Sequence, residues 1–201
     1  MTPLAALVSA YVLGAIPFGY LLVRFTTGTD VRASGSGNIG ATNVLRTTGR
    51  AAGVATLVLD IAKGFVAVWI AGRLTGHDPL WTSLAALAVM AGHAYPVFLG
   101  FKGGKAMASC VGAFLCLTPV AIAATLVVFV VAVAWTRYIS MGSVIASATL
   151  PLAVWILAKP PLPPLLAAII AGGFVIYKHS SNIQRLRQGT EHVFRFGAPK
   201  Q

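Results

Sequence analysis

Residues 3–23 read PLAALVSAYVLGAIPFGYLLV, an uncharged run of 21 residues that ends at Arg24. A helix of about 20 apolar residues is long enough to cross the hydrocarbon core of a bilayer. No basic segment precedes the run, so we predict that it remains as a membrane span and is not removed as a signal peptide. Pro17 lies within it and is predicted to kink the helix.

Further apolar runs follow the first. They cover residues 51–72, 79–100, 106–117, 120–135, 139–157 and 164–177. The chain is 57% hydrophobic and only 9% charged, whereas about a quarter of a soluble domain is charged. This composition excludes an ordinary soluble fold, a disordered chain and a disulfide scaffold. We therefore predict an all-α, polytopic integral membrane protein of about seven transmembrane helices, forming a single domain over residues 1–201. The run 106–117 is shorter than the ~17–25 residues of a full span, so five or six crossings are also compatible.

The basic residues are concentrated on one side of the predicted bundle. Seven spans place residues 24–50, 101–105, 136–138 and 178–201 on the same side, and these segments hold 12 of the 15 Lys and Arg residues. Because short basic loops stay in the cytoplasm, the N-terminus is predicted outside and the C-terminus inside. The charge lies in loops beside the membrane and not along an aromatic-lined groove, so membrane lipid is the expected partner and nucleic acid is not.

Acidic residues are scarce: Asp30, Asp60, Asp78 and Glu191 are the only carboxylates, and the net charge is +11. Paired-carboxylate chemistry and carboxylate-bound metals are poorly supplied, and we predict neither a metal nor an organic cofactor. Cys110 and Cys116 lie in an apolar run and are expected to be buried thiols.

The longest loop contains a first motif, residues 34–46, SGSGNIGATNVLR. Its G-x-G-x-x-G spacing does not indicate a dinucleotide site, because a membrane span precedes it and no βαβ unit surrounds it. Glycines allow backbone amides to approach an anion closely. Ser34, Ser36 and Thr42 offer hydroxyls, and Arg46 offers a fork that matches phosphate. A Gly/Ser-rich linker is the alternative, but it would not need two asparagines and an arginine.

A second motif, residues 93–105, HAYPVFLGFKGGK, joins two predicted spans. It is not a P-loop, because Leu99 and Ala106 stand where that motif has Gly and Ser or Thr. Gly103 and Gly104 just before a helix are expected to expose free amides, and Lys102 and Lys105 add positive charge, so we predict an anion site. The alternative is a tight turn whose lysines only set topology.

A third motif, residues 178–192, KHSSNIQRLRQGTEH, follows the last predicted span. On a helix, His179 and Asn182 share one face and could orient a hydroxyl. The alternative is a basic tail attracted to anionic lipid. Glu191 is predicted to form a structural ion pair with a nearby cation, Arg185, Arg187 or Lys178.

Two charged residues lie inside a predicted span. Asp60 and Lys63 are three residues apart and can neutralise each other. A structural pair is the default interpretation, and an ion relay is the alternative. The relay would suit a second function, a small membrane transporter of anionic metabolites or lipids, although no inverted repeat is visible. His93, taken alone, is more often a hydrogen-bonded structural residue than a catalyst.

The three motifs together resemble the bacterial acyl-phosphate-dependent glycerol-3-phosphate acyltransferases, the PlsY family. The resemblance rests on Gly35-Ser36-Gly37-Asn38 through Arg46, on residues 100–105, on His179 with Asn182, and on the pattern of spans. One departure is Ala106, which stands where the family has a third glycine. The resemblance implies transfer of a fatty acyl group from acyl phosphate to the sn-1 hydroxyl of glycerol 3-phosphate, which gives lysophosphatidic acid and phosphate. It also implies a multi-pass protein of the bacterial inner membrane with a cytoplasmic active site.

The resemblance, taken together with the chemistry of the three motifs, gives the expected site residues. The expected catalytic residues are Ser36, Arg46, Lys105, His179 and Asn182. The expected substrate-binding residues are Ser34, Gly37, Asn38, Thr42, Asn43, Lys102, Gly103 and Gly104. Ser36, Arg46 and Lys105 are expected to hold glycerol phosphate, the amides around Gly103 and Gly104 to hold acyl phosphate, and Asn182 and His179 to orient the hydroxyl. Either His179 or a substrate phosphate oxygen could act as the base. Acyl-chain preference and oligomeric state stay open, and a monomer is compatible with the sequence.

Overall fold

The computed structural model describes residues 3–194, and these residues contain helices and loops but no β-strand. The α-helices are α1 Pro3–Ala15, α2 Phe18–Thr27, α3 Ala41–Thr47, α4 Arg50–Thr75, α5 Pro79–Ala94, α6 Met107–Leu117, α7 Pro119–Thr136, α8 Ile139–Ala153, α9 Leu162–Lys178 and α10 Ser180–Arg187. Single 3₁₀ turns cover Val31–Ala33 and Val97–Leu99, and a π-helical turn, Val154–Ala158, extends α8. Arg195 and Lys200, both counted among the basic residues, lie outside the described residues.

The apolar helices confirm the prediction of an all-α, polytopic membrane protein. Five helical stretches are long and apolar enough to cross a bilayer: Pro3–Thr27, Arg50–Thr75, Pro79–Leu99, Pro119–Thr136 and Ile139–Ala158. The pair α9 and α10 adds a sixth if it is counted as one stretch bent by 54°. With 11 residues, α6 is about 16 Å long, roughly half the hydrocarbon thickness. The number of full crossings and the sides of the termini stay predictions.

The predicted kink at Pro17 is a break between α1 and α2. Proline has no amide hydrogen and disfavours helix in the residue before it. The carbonyl of Ile16, exposed by this break, accepts a hydrogen bond from Lys63 Nζ at 2.8 Å. The lysine of the buried charge pair therefore has a structural contact to the interrupted helix.

Glycines bring several helices into backbone contact. A Cβ at Gly112 of α6 would lie 1.9 Å from the Ile61 carbonyl oxygen of α4, and one at Gly64 would lie 2.3 Å from the Ser109 oxygen. Helices in membranes associate largely through such close packing, because lipid is as apolar as the side chains themselves. The short helix α6 is thereby held tightly against α4.

Two hydrophobic clusters hold the fold. The large one joins α1 and helices α4 through α9 and includes Cys110, which is buried and unpaired as predicted, whereas Cys116 is unpaired but only half-buried. The small one consists of Val23, Val31, Ile39 and Val44 and lies under the first motif. Leu99, from the loop after α5, packs against this small cluster. The first and second motifs are therefore neighbours.

Candidate active site

Asn43 organises the first motif from beneath. Its side chain is buried, and the two hydrogens of Nδ2 are shared among the carbonyl oxygens of Val31, Ser34 and Asn38, which lie at 3.2, 3.1 and 2.9 Å. Its Oδ1 accepts the Ser36 amide at 2.8 Å. Asn43 was expected to contact substrate, but its polar atoms are all bonded to the loop, so its place in the structure is that of a scaffold residue.

The same loop exposes its small residues. Gly35 and Gly37 have φ of +59° and +69°, a backbone conformation that residues other than glycine seldom adopt. A Cβ at Gly35 would also lie 2.3 Å from Asn43 Oδ1. Ser34 and Ser36 are exposed on this turn. Asn38 Oδ1 accepts the Gly40 amide at 2.8 Å and so helps to begin α3, which carries half-buried Thr42 and exposed Arg46.

The second motif differs from the expectation of free glycine amides. The Gly103 amide donates to the Ala94 carbonyl at 3.3 Å, and the Gly104 amide donates to the His93 carbonyl at 3.0 Å. Both amides are used to satisfy carbonyl groups at the end of α5, which have no partner within that helix. The two amides are therefore not free, in contrast to the prediction, and the binding of acyl phosphate at this loop stays a prediction.

Ala106 gives the second motif a strained residue. It is fully buried and has φ of +58°, a left-handed conformation that costs an L-residue roughly 1–2 kcal/mol. Glycine carries no such cost in this conformation, which accords with the glycine that the resemblance led us to expect at this position. We expect Ala106→Gly to increase the free energy of unfolding by about 1 kcal/mol and to preserve activity. The purified variant should therefore have a higher melting temperature than wild type. A lower melting temperature would show that the lost methyl contacts outweigh the strain.

A chain of hydrogen bonds joins the second motif to the third. Lys105 Nζ donates to Asn182 Oδ1. Asn182 Nδ2 donates to Glu191 Oε1 at 2.8 Å, and Arg185 Nε donates to Glu191 Oε2 at 2.8 Å. The prediction of an ion pair for Glu191 is confirmed, with Arg185 as the partner. Ser140 Oγ also donates to Glu191 Oε1 at 3.0 Å.

Ser140 is the residue that the sequence did not reveal. It lies in an apolar helix, α8, with no motif around it, and only folding brings it to the carboxylate. Burial raises the pKa of Glu191, but the hydrogen bonds from Asn182, Arg185 and Ser140 outweigh this and keep that pKa below its ordinary value. The carboxylate is thus ionised at neutral pH and fully engaged by the protein.

His179 lies in the bend between α9 and α10. Its ring is buried, and Nδ1 is 2.7 Å from the Val175 carbonyl oxygen. A carbonyl only accepts, so Nδ1 carries the proton and Nε2 is left with a lone pair in the neutral ring. Burial lowers the pKa of His179 to about 4, and the charge of Lys105 also lowers it, whereas the hydrogen bond to Val175 and the charge of Glu191 act in the opposite direction. The imidazole is therefore neutral at pH 7.

Arg46 and Lys105 share one electrostatic environment with the third motif. The surrounding protein partly desolvates the Arg46 guanidinium and so lowers its pKa, while the charges of Glu191 and Arg185 act on it in opposite directions. Burial also lowers the pKa of Lys105 to about 8, and the charges of Arg185, Arg46 and Lys178 add to the effect against that of Glu191. We call Arg46, Lys105, Asn182, Arg185 and Glu191 the cationic cluster. Lys102 is exposed and, unlike Arg46, is not among the charges that act on the pKa of Lys105.

The remaining predicted polar residues lie deeper. Asp60 and Lys63 form an ion pair at 2.9 Å between Oδ1 and Nζ, and His93 lies beside Asp60. Lys63 also holds the Ile16 carbonyl, which accords with a structural pair. No group of three or more His, Cys, Asp or Glu side chains with metal-binding geometry occurs in residues 3–194.

Comparison with known proteins identifies the family. A family model described as glycerol-3-phosphate acyltransferase matches residues 4–189. The chain belongs to this acyltransferase family. Glycerol-3-phosphate acyltransferase of Geobacter sulfurreducens is 50% identical over 186 residues, which cover 92% of this chain and 94% of the relative. That of Desulforamulus reducens is 43% identical over 201 residues, which cover 100% and 98%.

Solved structures give the same assignment to the PlsY acyltransferases. The crystal structure of PlsY (YgiH), an integral membrane glycerol 3-phosphate acyltransferase, in its glycerol 3-phosphate form superposes with a TM-score of 0.91 at 39% identity and covers 96% of each chain. Its lysophosphatidic acid form gives a TM-score of 0.88 at 37% identity, covering 96% of this chain and 95% of that one. The chain is a membrane acyltransferase of the PlsY family, and this family decides against the transporter alternative.

Proposed function

We propose that this PlsY-family enzyme transfers a fatty acyl group from acyl phosphate to the sn-1 hydroxyl of glycerol 3-phosphate. The products are lysophosphatidic acid and inorganic phosphate, and the site faces the cytoplasm at the bacterial inner membrane. The observation that carries the proposal is the cationic cluster, which unites all three motifs around Lys105. Relatives named glycerol-3-phosphate acyltransferase, and solved structures in glycerol 3-phosphate and lysophosphatidic acid forms, support the acceptor and the product.

The charge of the cluster suits two phosphate groups. Its one carboxylate, Glu191, already accepts hydrogen bonds from Asn182, Arg185 and Ser140. Lys105 has three hydrogens and uses one on Asn182, so two remain for substrate oxygens. Because the glycine amides are occupied, we assign the acyl phosphate group to Lys105 and the glycerol phosphate group to Arg46 and Ser36, with Lys105 between the two phosphates. Ser34, Gly37, Thr42 and Lys102 stay proposed contacts at the rim.

The proposed chemistry is a single acyl transfer. The hydroxyl oxygen of glycerol 3-phosphate forms a bond to the acyl carbon, and the bond from that carbon to the phosphate oxygen breaks. Phosphate leaves with the electron pair, and cations held beside it stabilise the developing charge. A mixed anhydride is already activated, so holding the two substrates together is the main requirement of catalysis. This direct transfer needs no acyl-enzyme intermediate.

The hydroxyl proton is assigned to a substrate phosphate oxygen. A phosphate monoester has a second pKa of about 6, whereas burial lowers the pKa of His179 to about 4. The phosphate is thus the stronger base of the two. His179 Nε2 has the lone pair to accept a hydrogen bond from the hydroxyl, and we assign it the task of orienting that group.

The donor is tested with the purified protein in lipid vesicles. Palmitoyl phosphate, palmitoyl-CoA and palmitoyl-acyl carrier protein are offered separately with glycerol 3-phosphate, and the lysophosphatidic acid formed is resolved into its 1-acyl and 2-acyl isomers. We expect 1-acyl product from palmitoyl phosphate alone. Faster turnover of either thioester, or a 2-acyl product, would overturn the corresponding part of the proposal.

Arg46→Ala tests the acceptor site. A guanidinium matches phosphate with two parallel hydrogen bonds, and Arg46 is exposed, so its removal leaves the fold intact. We expect the KM for glycerol 3-phosphate to rise at least about tenfold, with turnover falling or disappearing and the KM for the acyl donor changing less. Arg46→Lys keeps the charge without the fork and should lie between the two. Near-normal kinetics of Arg46→Ala would remove Arg46 from the site.

The pH profile tests the charge of Lys105. Burial and the neighbouring cations lower its pKa to about 8, and the proposal needs the protonated form. We expect kcat/KM to fall tenfold per pH unit above about pH 8, because this ratio reports the free enzyme. Bound phosphates favour the ammonium, so the alkaline fall of kcat should begin at higher pH. A kcat/KM that is constant to pH 10 would contradict a catalytic charge on Lys105.

A further inference from the structure

A buried polar group below the cationic cluster is unused by the proposed chemistry. It consists of Asp60 and Lys63 on α4 and His93 near the end of α5, and all three side chains are almost completely buried. Charged groups within a membrane protein are costly and are kept where they serve a purpose. These three residues lie beneath the turn that leads to Lys105.

The ion pair is anchored on several sides. Lys63 Nζ lies 2.9 Å from Asp60 Oδ1, donates to the Ile16 carbonyl at 2.8 Å and lies 5.6 Å from the centre of the Phe18 ring. Breaking a buried pair leaves an uncompensated charge, so neither partner moves freely. The pair is therefore a fixed support between α1, α2 and α4.

His93 connects this support to the second motif. Its Nδ1 lies 3.6 Å from Asp60 Oδ1 and has no hydrogen-bond partner in residues 3–194. Its Nε2 lies on the opposite side of the ring, where a Cβ at Gly104 would approach it to 2.2 Å. The His93 carbonyl accepts the Gly104 amide at 3.0 Å. Gly104 is thus seated on the His93 ring and bonded to its backbone.

We propose that His93 is a positioning residue for acyl transfer, packed beside the buried Asp60–Lys63 pair. Its ring contacts the Gly103–Gly104 turn and fixes the position of that turn. The turn then fixes the position of Lys105, the next residue, in the cationic cluster. Only glycine fits between the ring and the cluster at position 104. This inference rests on the proposed catalytic use of Lys105.

The first test compares His93→Ala with Ser83→Ala in the steady-state assay. Ser83 is a buried residue of the same helix whose hydroxyl has no partner in the described part of the chain, so it is a matched control. We expect His93→Ala to lower kcat by up to about 100-fold, because misplacing a catalytic group by 1 Å costs that much. The control should stay within twofold of wild type, and melting temperatures show that both variants are folded.

The pH profile separates positioning from a general loss of structure. If Lys105 leaves its buried position, its pKa should rise from about 8 toward the ordinary lysine value near 10.4. The alkaline fall of kcat/KM, or alkaline limb, should then move to higher pH by the same amount. The charged groups around Lys105, which are Arg46, Lys178, Arg185 and Glu191, are unchanged in the variant. A lower kcat with an unmoved limb would overturn the positioning role.

A second pair of variants tests the contact itself. Gly104→Ala should lose activity by a similar factor, because its methyl meets the His93 ring. In the His93→Ala background the same methyl has room, so the double variant should be no worse than His93→Ala alone. Additive losses would contradict the proposed contact. If the wild-type protein is inactive with palmitoyl phosphate, the proposed donor is wrong. The His93 variants are then measured with the acyl donor that the wild-type protein does use.

The support beneath His93 is tested by Asp60→Asn combined with Lys63→Met, which removes both charges together and avoids an unpaired one. We expect the same upward shift of the alkaline limb as in His93→Ala, in a folded protein. An unshifted limb in an active, folded double variant would show that the ion pair does not hold His93.

Discussion

Lys105→Met is expected to abolish acyl transfer almost completely while the protein stays folded. Methionine has a similar length and no charge, so the variant removes the ammonium from the centre of the cationic cluster and keeps most of the packing. Loss of one group that stabilises developing negative charge typically costs about 100- to 1,000-fold in kcat. Lys105 is also proposed to touch both phosphates, so both KM values should rise as well.

The matched control is Lys102→Met. Lys102 belongs to the same loop, three residues earlier, but it is exposed and lies outside the hydrogen-bond chain. Initial rates of lysophosphatidic acid formation at saturating substrate measure both variants. Lys102 is proposed only as a contact at the rim, where its loss affects KM more than the saturated rate, so we expect its variant to stay within about threefold of wild type in this measurement. Equal losses in the two variants would mean that the loop contributes only general positive charge to membrane and substrate.

Glu191→Gln is expected to reduce both stability and activity. The carboxylate accepts hydrogen bonds from Asn182, Arg185 and Ser140, and glutamine replaces one acceptor by a donor and leaves Arg185 unpaired. Removing one partner of a buried ion pair costs about 3–5 kcal/mol. Because the Arg185 side chain is about one-third exposed, the lower end of that range applies. Activity should fall by at least about tenfold, since Asn182 then no longer holds Lys105 in place.

Ser140→Ala is a milder change at the same carboxylate, Glu191. It deletes one hydrogen bond and leaves the charge, so it should cost about 1–2 kcal/mol and little activity. Thermal unfolding in one detergent measures both variants. The pKa of Glu191 is held below its ordinary value, so its contribution is present at neutral pH and is lost only as pH falls below about 4. A Glu191→Gln variant as stable as wild type would remove the carboxylate from the structural centre of the site.

The membrane helices could be predicted because their signal is local. Each apolar run contains its own helix, and Pro17 interrupts the first run through its missing amide wherever that helix packs. The exact ends of the helices within these runs are harder to predict from the sequence. The run 79–100 ends its α-helix at Ala94, and Pro96 disfavours helix in the residue before it, Tyr95.

The site could be predicted as a set of residues but less well as a set of contacts. Hydroxyls, lysines and an arginine among glycines indicate anion binding from composition alone. The assignment of free amides to Gly103 and Gly104 failed because their acceptors, the carbonyls of His93 and Ala94, are about ten residues away in sequence and adjacent only in the fold. Ser140 lies 51 residues from Glu191, and no spacing rule could connect them.

Asn43 is a second case in which the sequence does not reveal the contacts of a polar residue. An asparagine in a glycine-rich loop offers donors and an acceptor to a ligand, and sequence cannot tell which groups the loop itself uses. Folding shows that the nearby backbone takes all of them. A polar residue in a glycine-rich loop can therefore support the loop itself and leave no group for the substrate.

Phosphate release followed with and without glycerol 3-phosphate tests direct acyl transfer most simply. Purified protein in lipid is mixed rapidly with palmitoyl phosphate, and phosphate and lysophosphatidic acid are measured from the first turnover onward. We expect one phosphate for each lysophosphatidic acid when glycerol 3-phosphate is present, and no phosphate above the uncatalysed rate when it is absent. A burst of phosphate equal to the enzyme concentration without glycerol 3-phosphate would show an acyl-enzyme and contradict direct transfer.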